Sequence, residues 1–369
     1  MTTGLELPTG EIMSGKKLNR RHFLSASMVA AGASMTAACV MPVTPAAAPS
    51  EGSMMSESPD YKFYFNTHGS VEISFWSAAN NGFQDFCSHY NIDGQYLGTV
   101  RDGDFAEERE NMERIVAAGD ADAVVAVLSD VDALDEPIRQ LADQGVPVVL
   151  VNSKDPRPAE EQVPHLRYAG EDTYLTGVRN AQLALASFTE LAGRAPKRST
   201  YIEHVPGAWV LVTRGQGMSD VLTPEGTNFE SIAGEVDPVQ MQEIVRAHLI
   251  ANPDVETIHT GWSRPAAWSI EVLREMDKLG NVNEPFEEGK VYVTSIDLDP
   301  ELLGMIDAGD CVGTIDQQVY LQGWYGAALA WQWVTNQFLI ANDISTGPYV
   351  VTQENAAALI GQAEAGIRA

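Results

Sequence analysis

Short apolar runs alternate with longer segments of helical period along most of the chain, beginning near Tyr61. Runs of four to eight apolar residues are typical of buried strands, and apolar positions three or four apart are typical of helices. Their alternation predicts β-α units that feed a parallel sheet. The first series predicts strands at 62–67, 94–100, 122–128 and 146–151, separated by helices at 77–90, 105–118 and 132–144.

A second series of the same kind follows a predicted helix at 173–191. Its predicted strands are 199–205, 228–234, 255–260 and 290–296, and its helices are 214–223, 238–251, 265–279 and 300–308. A helix at about 321–340 and a strand at 348–352 complete the pattern. The sequence therefore predicts an α/β protein with two doubly wound parallel-sheet units in tandem.

The pattern before Tyr61 is different. Residues 16–25, KKLNRRHFLS, place four basic side chains ahead of a mildly apolar stretch that ends at Cys39. This stretch is too short and too weakly apolar to span a bilayer, and small residues precede the cysteine. Residues 1–38 are therefore predicted to be a removable export signal, which indicates a periplasmic or cell-surface protein.

Two features of this signal are more specific. The adjacent Arg20 and Arg21 resemble the twin-arginine export signal, and the run from Thr36 to Cys39 resembles a lipobox, in which the cysteine is lipidated and becomes the first mature residue. An ordinary secretory signal and an incidental cysteine are the alternatives. Residues 39–60 are rich in Pro, Ala and Ser and are predicted to be a flexible tether.

The net charge of the chain argues against some classes of binding partner. The 369 residues include 23 Lys or Arg and 51 Asp or Glu, which gives a net charge of −28. Such a field repels phosphate backbones and anionic lipid headgroups, so nucleic-acid binding is not expected. Residues 1–38 carry four basic and two acidic side chains, and their removal leaves the mature chain at −30. Of the three cysteines, Cys87 and Cys311 are predicted to be buried free thiols.

Patterns that would indicate an enzyme are weak. The seven histidines never occur at zinc-ligand spacing, and no nucleophile elbow is present. The segment from Arg214 to Gly217 opens a predicted helix, but it lacks the third glycine of a dinucleotide fingerprint and the Lys-Ser/Thr of a P-loop. We therefore expect neither a metal site nor a cofactor.

Aromatic and polar residues follow the predicted strands. Open α/β sheets bind ligands at the carboxyl ends of their strands. Flat aromatic faces suit the C–H faces of a sugar ring, and short polar side chains suit its hydroxyls. Each residue taken singly could be a core residue or a helix cap, but together they predict a binding cleft. The residues are Phe75, Trp76, Ser129, Asp130, Asn152, Ser153, Trp209, Trp262, Ser263 and Asp297.

Several segments make the chain resemble type I periplasmic sugar-binding proteins, the ribose-binding-protein-like group that serves ABC importers. The resemblance covers residues 61–355. Its motifs are Phe75-Trp76 with Gly82, Gly145-Val146-Pro147-Val148-Val149 before Asn152, Ala169-Gly170-Glu171-Asp172 with Gly177, Arg214-Gly215-Gln216-Gly217-Met218, Asn252-Pro253-Asp254-Val255, Ile296-Asp297 and Gly313-Thr314-Ile315-Asp316-Gln317.

This resemblance implies roles for particular residues. Phe75 and Trp76 would stack on the sugar, Asn152 would hydrogen-bond its hydroxyls, and Asp297 and Gln317 would bind it from the second lobe and the hinge. Ser129, Ser153, Trp209 and Trp262 complete the predicted ligand contacts.

The resemblance also implies an architecture and partners. The N-terminal lobe would comprise 61–171 plus 318–345, and the C-terminal lobe 172–317 plus 346–369. Glu171 and Asp172 would lie in the hinge where the chain first crosses. The expected partners are a small carbohydrate and an ABC permease in the membrane, and the protein is expected to be a monomer.

The chain departs from the family pattern in the loop Thr67–Ser74, which is longer than usual, and at three further positions. Ser153 stands where an arginine often follows the ligand-binding Asp or Asn. The family's ligand-binding arginine of the second lobe falls near Val212, and its asparagine falls near Trp262. These departures predict a more aromatic pocket with fewer charged groups, in which Asp297 is the main charge.

Two other functions are compatible with the sequence. A sensory binding protein would share the fold and pocket and present the ligand to a membrane receptor, and only its partner would differ. An exported sugar-active enzyme would need paired carboxylates facing one site, for which Glu171 with Asp172 or Asp130 with Asp132 are the candidates.

Overall fold

The computed structural model describes residues 59–369. The predicted signal, Cys39 and nearly all of the predicted tether lie outside these residues. Within them, no helix combines the length and the apolar character that crossing a membrane requires.

The first part of the described chain alternates strands and helices. The elements are β1 (Tyr61–Asn66), α1 (Ser74–His89), β2 (Ile92–Leu97), α2 (Phe105–Ala118), β3 (Ala123–Val127), α3 (Val131–Asp143), β4 (Val148–Val151) and β5 (Tyr168–Glu171).

The second part repeats the alternation and ends in a short helix. The elements are α4 (Thr173–Ala192), β6 (Arg198–Glu203), α5 (Trp209–Leu222), β7 (Asn228–Ala233), α6 (Pro238–Ala251), β8 (Val255–Thr260), α7 (Ser263–Glu275), β9 (Tyr292–Ile296), α8 (Pro300–Asp307), β10 (Gly313–Asp316), α9 (Val319–Asn336), β11 (Ile344–Gly347), β12 (Tyr349–Val351) and α10 (Ala356–Glu364).

The strands form two six-stranded sheets. The first has the order β11-β5-β4-β3-β1-β2, and all its neighbouring strands are parallel. The second has the order β12-β10-β9-β8-β6-β7, in which only the β10–β12 pair is antiparallel. This arrangement confirms the predicted fold class of two doubly wound parallel sheets.

Helices cover both faces of each sheet, as buried parallel strands require. In the first sheet, α1 and α9 pack on one face and α2 and α3 on the other. In the second, α4 and α5 share one face, and α6, α7, α8 and α10 cover the other. Cys87 in α1 and Cys311 just before β10 are buried and free, as predicted.

The chain passes between the two sheets three times. It does so after β5, because α4 packs on the second sheet, and again after β10, because α9 packs on the first. The last crossing falls between β11, which ends at Gly347, and β12, which begins at Tyr349. The predicted boundary follows residue 345, two residues before the end of β11. Three strands at these crossings, β5, β10 and β11, have only four residues each, and the sequence did not predict their bounds.

Candidate functional site

A cavity opens where the carboxyl ends of strands from both sheets meet. It contains about 840 Å³ of empty space, including the open solvent at its mouth. The structure brings all nine predicted ligand contacts into its lining: Phe75, Trp76, Ser129, Asn152, Ser153, Trp209, Trp262, Asp297 and Gln317.

One wall of the cavity is aromatic and comes from the start of α1. The rings of Phe75 and Trp76 meet edge to face with centroids 4.9 Å apart. The indole Nε1 of Trp76 donates a hydrogen bond to Oδ1 of Asp102 at 2.8 Å, which fixes the ring orientation. Gly69 passes so close that a Cβ atom there would lie 1.8 Å from Trp76 Nε1. Only glycine at position 69 therefore leaves room for this indole.

The opposite wall comes from the second sheet. Trp209 is the first residue of α5, and Trp262 directly precedes α7. The guanidinium of Arg264 lies over the Trp262 ring, 5.4 Å from its centroid. The prediction that α5 begins at Arg214 was wrong, because the helix begins five residues earlier without a side-chain cap to mark its start.

The three helices that begin at the cavity have no side-chain cap, a feature that they share with α9 and α10. Asp side chains cap five helices, α2, α3, α4, α6 and α8, by accepting a hydrogen bond from a first-turn N–H. At α1, α5 and α7 the N-cap residues are Ile73, Ala208 and Trp262, which make no such bond and line the cavity. The free N–H groups of these helices are thus directed toward the space where a ligand would supply oxygen acceptors.

The polar floor of the cavity is a connected set of side chains. Gln317 Nε2 donates to Asp297 Oδ1 at 2.7 Å, and Gln317 Oε1 accepts from Asn152 Nδ2 at 3.1 Å. Burial raises the pKa of Asp297 to about 7, although the charge of Arg214 and the bond from Gln317 act in the opposite direction. Burial also raises the pKa of Asp102, which the bond from Trp76 partly offsets.

Arg214 corrects the predicted charge distribution. Its side chain lines the cavity, two residues from the position near Val212 where the sequence suggested that an arginine was missing. Its Nη2 and Nε donate to Oε1 of Glu171 at 2.5 and 3.0 Å, and its Nη1 donates to the Gly261 carbonyl at 3.1 Å. Asp297 is therefore one of three charged groups in the lining, with Arg214 and Asp102.

Two histidines in the lining were missed by the sequence analysis. His68 follows β1 and His204 follows β6, so the strand-end rule that identified the tryptophans applied to both. Burial lowers the pKa of His68 to about 4 and that of His204 to about 3, with Arg214 lowering the latter further. Both imidazoles are therefore neutral at pH 7.

The other predicted residues have local structural roles. Glu171 pairs with Arg214, and Asp172 caps α4 by accepting from Leu175 N at 2.9 Å. Asp130 caps α3, and Asp132 lies in the first turn of that helix. None of these four carboxylates lines the cavity. Among residues 59–369, no group of three or more His, Cys, Asp or Glu side chains is arranged to hold a metal ion.

Comparison with known proteins gives the family. A model described as a periplasmic binding protein domain matches residues 64–337. The xylose/arabinose-binding protein of Sulfolobus acidocaldarius is 25% identical over 305 residues, which cover 81% of this chain and 73% of the relative.

Solved structures share the fold. A carbohydrate transporter of Acidothermus cellulolyticus in complex with myo-inositol has a TM-score of 0.71 and 21% identity, and the match covers 84% of this chain and 100% of that one. A carbohydrate transporter solute-binding protein of Agrobacterium radiobacter in complex with D-arabinose has a TM-score of 0.70 and 19% identity, covering 84% and 99%. The chain belongs to the family of periplasmic binding proteins, which confirms the resemblance identified in its sequence.

Proposed function

We propose that this protein is an extracytoplasmic solute-binding protein that captures a neutral monosaccharide or related polyol and delivers it to an ABC permease. The observation that carries the proposal is the lining of one cavity by aromatic faces from both sheets, with polar side chains between them. Aromatic rings bind the C–H faces of a sugar, and Asn152, Asp297 and Gln317 bind its hydroxyls. The binding involves no covalent chemistry.

The charges of the cavity support a neutral ligand. Arg214 is the only Lys or Arg among the described residues that line it, and its guanidinium is already paired with Glu171. Asp102 and Asp297 are carboxylates without a Lys or Arg hydrogen-bond partner. An anionic sugar would face both of them, whereas the hydroxyls of a neutral sugar can donate to them.

The relatives point to the same class of ligand. The Sulfolobus protein is named for xylose and arabinose, and the two similar structures hold myo-inositol and D-arabinose. These compounds are neutral and rich in hydroxyls, as the lining of this cavity favours.

The proposal also includes the cellular location of the protein and its attachment to the membrane. Export through the twin-arginine route, lipidation of Cys39 and the tether of residues 39–60 would hold a monomer at the outer face of the membrane, next to its permease. Closure of the lobes about the hinge near Glu171 and Asp172 would enclose the ligand, since binding favours the state with more contacts.

Intrinsic tryptophan fluorescence tests the proposal directly. The purified protein is titrated with neutral pentoses, hexoses and cyclic polyols, and with a uronic acid and a sugar phosphate as anionic counterparts. We expect a saturable change with at least one neutral compound and none with the anionic ones, because Trp76, Trp209 and Trp262 line the cavity. Silence across the neutral panel, or conversion of any compound to product, would overturn the proposal.

A pair of tryptophan variants locates the binding site. Trp209→Ala removes a half-buried ring from the cavity wall and is expected to weaken binding at least tenfold. Trp333→Ala removes a half-buried tryptophan of α9 that does not line the cavity, and it is expected to leave affinity unchanged. Calorimetry measures both variants, and equal affinities would mean that the ligand binds elsewhere.

A further inference from the structure

A chain of three side chains runs from the interior of the first lobe to the cavity. Glu108 lies on α2 and is fully buried, Ser129 follows β3, and His68 follows β1. The Ser129 hydroxyl is 3.0 Å from Glu108 Oε1 and is hydrogen-bonded to His68 Nδ1. Because the hydroxyl has one proton, it can donate to only one of these two neighbours.

The cavity end of this chain is the imidazole. His68 and Ser129 line the cavity, whereas Glu108 does not. The His68 ring is held edge to face by Trp76 and Phe105, with centroids 4.7 and 5.6 Å away. Its second nitrogen, Nε2, has no hydrogen-bond partner among residues 59–369 and is not enclosed by protein. Nε2 is therefore the ring atom available to a ligand.

The proton on Glu108 decides what Nε2 can do. With an ionised Glu108, Ser129 donates to the carboxylate, His68 donates to Ser129 from Nδ1, and Nε2 is an acceptor. With a protonated Glu108, the carboxyl donates to Ser129, Ser129 donates to Nδ1, and the imidazole carries its proton on Nε2. The imidazole is neutral in both cases, but the direction of every hydrogen bond is reversed.

The surroundings of Glu108 favour the protonated form. No Lys or Arg among the described residues pairs with it, and Asp130 and the Tyr96 hydroxyl are the charged or titratable groups near it besides His68. Its Oε2 is buried without a hydrogen-bond partner. Oε2 lacks a partner in both protonation states, but a buried unsatisfied oxygen costs more free energy in an ionised carboxylate than in a neutral carboxyl, whose proton on Oε1 is accepted by Ser129. Burial accordingly raises the pKa of Glu108 well above its usual range.

We propose that Glu108 is a neutral carboxylic acid that acts through Ser129 to make His68 a hydrogen-bond donor to the ligand at Nε2. Glu108 is thus a positioning residue that never touches the ligand, and His68 is a specificity-determining residue. The ligand part rests on the proposed function. It implies that an oxygen atom of the sugar accepts a hydrogen bond from His68. Asp102 and Asp297, by contrast, accept hydrogen bonds from hydroxyls of the sugar.

The tautomer of His68 tests the relay without any ligand. Nitrogen NMR of the whole chain labelled at histidine distinguishes a protonated Nε2 from a protonated Nδ1, and the signal that disappears in His68→Gln identifies the residue. We expect the Nε2–H tautomer at pH 7. The Nδ1–H tautomer, or an imidazolium, would overturn the proposal even if the protein binds sugars. Failure to bind sugars would overturn only the proposed function.

Two variants separate the relay from simple packing. Glu108→Gln places an amide donor where the protonated carboxyl stands, so the Nε2–H tautomer is expected to persist with affinity within about threefold of the original protein. Ser129→Ala interrupts the chain, and we expect His68 to become a mixture of tautomers. A change to Nδ1–H in Glu108→Gln, or an unaltered tautomer in Ser129→Ala, would contradict the relay.

A ligand found in the fluorescence panel allows a third measurement. His68→Phe keeps an aromatic ring against Trp76 and Phe105 but has no nitrogen, and it is expected to lose about tenfold in affinity. His68→Gln restores an amide donor near Nε2 and is expected to recover part of that loss. Equal affinity of His68→Phe and the original protein would show that His68 makes no bond to the ligand.

Discussion

Asn152 and Asp297 occupy equivalent positions in the two sheets, directly after β4 and β9. Both have left-handed backbone conformations, with φ of 61° and 62°, which cost residues other than glycine about 1 kcal/mol. Asn and Asp tolerate this region better than other side chains do. Both side chains bond to Gln317 at the cavity floor. Among residues 59–369, two of the six non-glycine residues with positive φ are thus residues proposed to hold the ligand, where backbone strain is common.

The carboxyl of Asp297 gives a prediction about stability. Its pKa of about 7 in the folded protein exceeds the ordinary value of 3.8, so the folded state binds the extra proton between these pH values. Stability is therefore lost as pH rises from about 4 to 7, by at most about 1.4 kcal/mol per pH unit. Asp297→Asn removes this loss. Urea unfolding is expected to show the variant gaining stability relative to the original protein between pH 5 and pH 8, while sugar affinity falls.

Asp172→Asn is the control for this substitution. Asp172 is exposed and caps α4, and asparagine caps a helix as well as aspartate does. We expect its free energy of unfolding to stay within about 0.5 kcal/mol of the original at both pH values. A stability difference for Asp297→Asn that does not change between pH 5 and pH 8 would mean that the carboxyl is not protonated in the folded protein.

The sequence predicted which residues line the cavity where those residues directly follow an interior strand of a sheet. That rule identified Asn152 and Trp262, because parallel strands end at a common edge. It did not identify His68, which lies two residues beyond the end of β1, in the loop before α1. Asp102 comes from the loop after β2, an edge strand, and Arg214 reaches the cavity from the second turn of α5. Their positions depend on packing between elements, which strand endings do not encode.

Two pairs of helices approach each other closely through facing glycines. Between α4 and α5, a Cβ at Gly177 would lie 2.0 Å from the Arg214 carbonyl, and one at Gly217 would lie 2.4 Å from the Tyr174 carbonyl. Between α1 and α9, Gly82 and Gly323 make equivalent approaches, at 1.9 and 2.0 Å. Backbone contact of this kind leaves no room for a side chain.

The α4–α5 contact predicts a strong effect of one methyl group. Gly177→Ala must push α5 away from α4, which also moves Arg214 from its partner Glu171. We expect a loss of about 1–3 kcal/mol in the free energy of unfolding, together with weaker sugar binding. Gly304→Ala in α8 has open space around the new methyl and is expected to stabilise by about 0.5–1 kcal/mol. Urea unfolding measures both, and similar effects of the two substitutions would contradict the close approach.

Elements were predicted well where the sequence carries a boundary signal. The helices α2 and α6, which an Asp caps, have the predicted bounds, α4 ends one residue later than predicted, and α3 begins and ends one residue earlier. The starts of α1 and α5 were placed three and five residues too late, since Ile73 and Ala208 give no capping signal. These two starts are at the cavity, where a ligand would satisfy the backbone, although α9 and α10 lack side-chain caps as well.

The whole molecule combines two similar sheets with a large excess of acidic over basic residues. Its fold class followed from the alternation of strands and helices, because burial of parallel strands on both faces fixes the layers. The connection of the sheets was not predictable in detail, since β5, β10 and β11 are four-residue strands that tertiary pairing defines. The net negative charge, by contrast, follows directly from the residue counts of the sequence.

That acidity predicts how salt affects stability. With 51 acidic and 23 basic residues, repulsions outnumber attractions, and folding brings the charges together. Raising NaCl from about 10 to 150 mM shortens the screening length from about 30 to 8 Å. We expect the Tm at pH 8 to rise by about 2–4 °C, which corresponds to about 1 kcal/mol. The rise should shrink at pH 5, close to the pI of 4.4, where fewer carboxylates are ionised. A Tm that falls with salt at pH 8 would mean that surface ion pairs such as Arg109–Glu113 outweigh the repulsion.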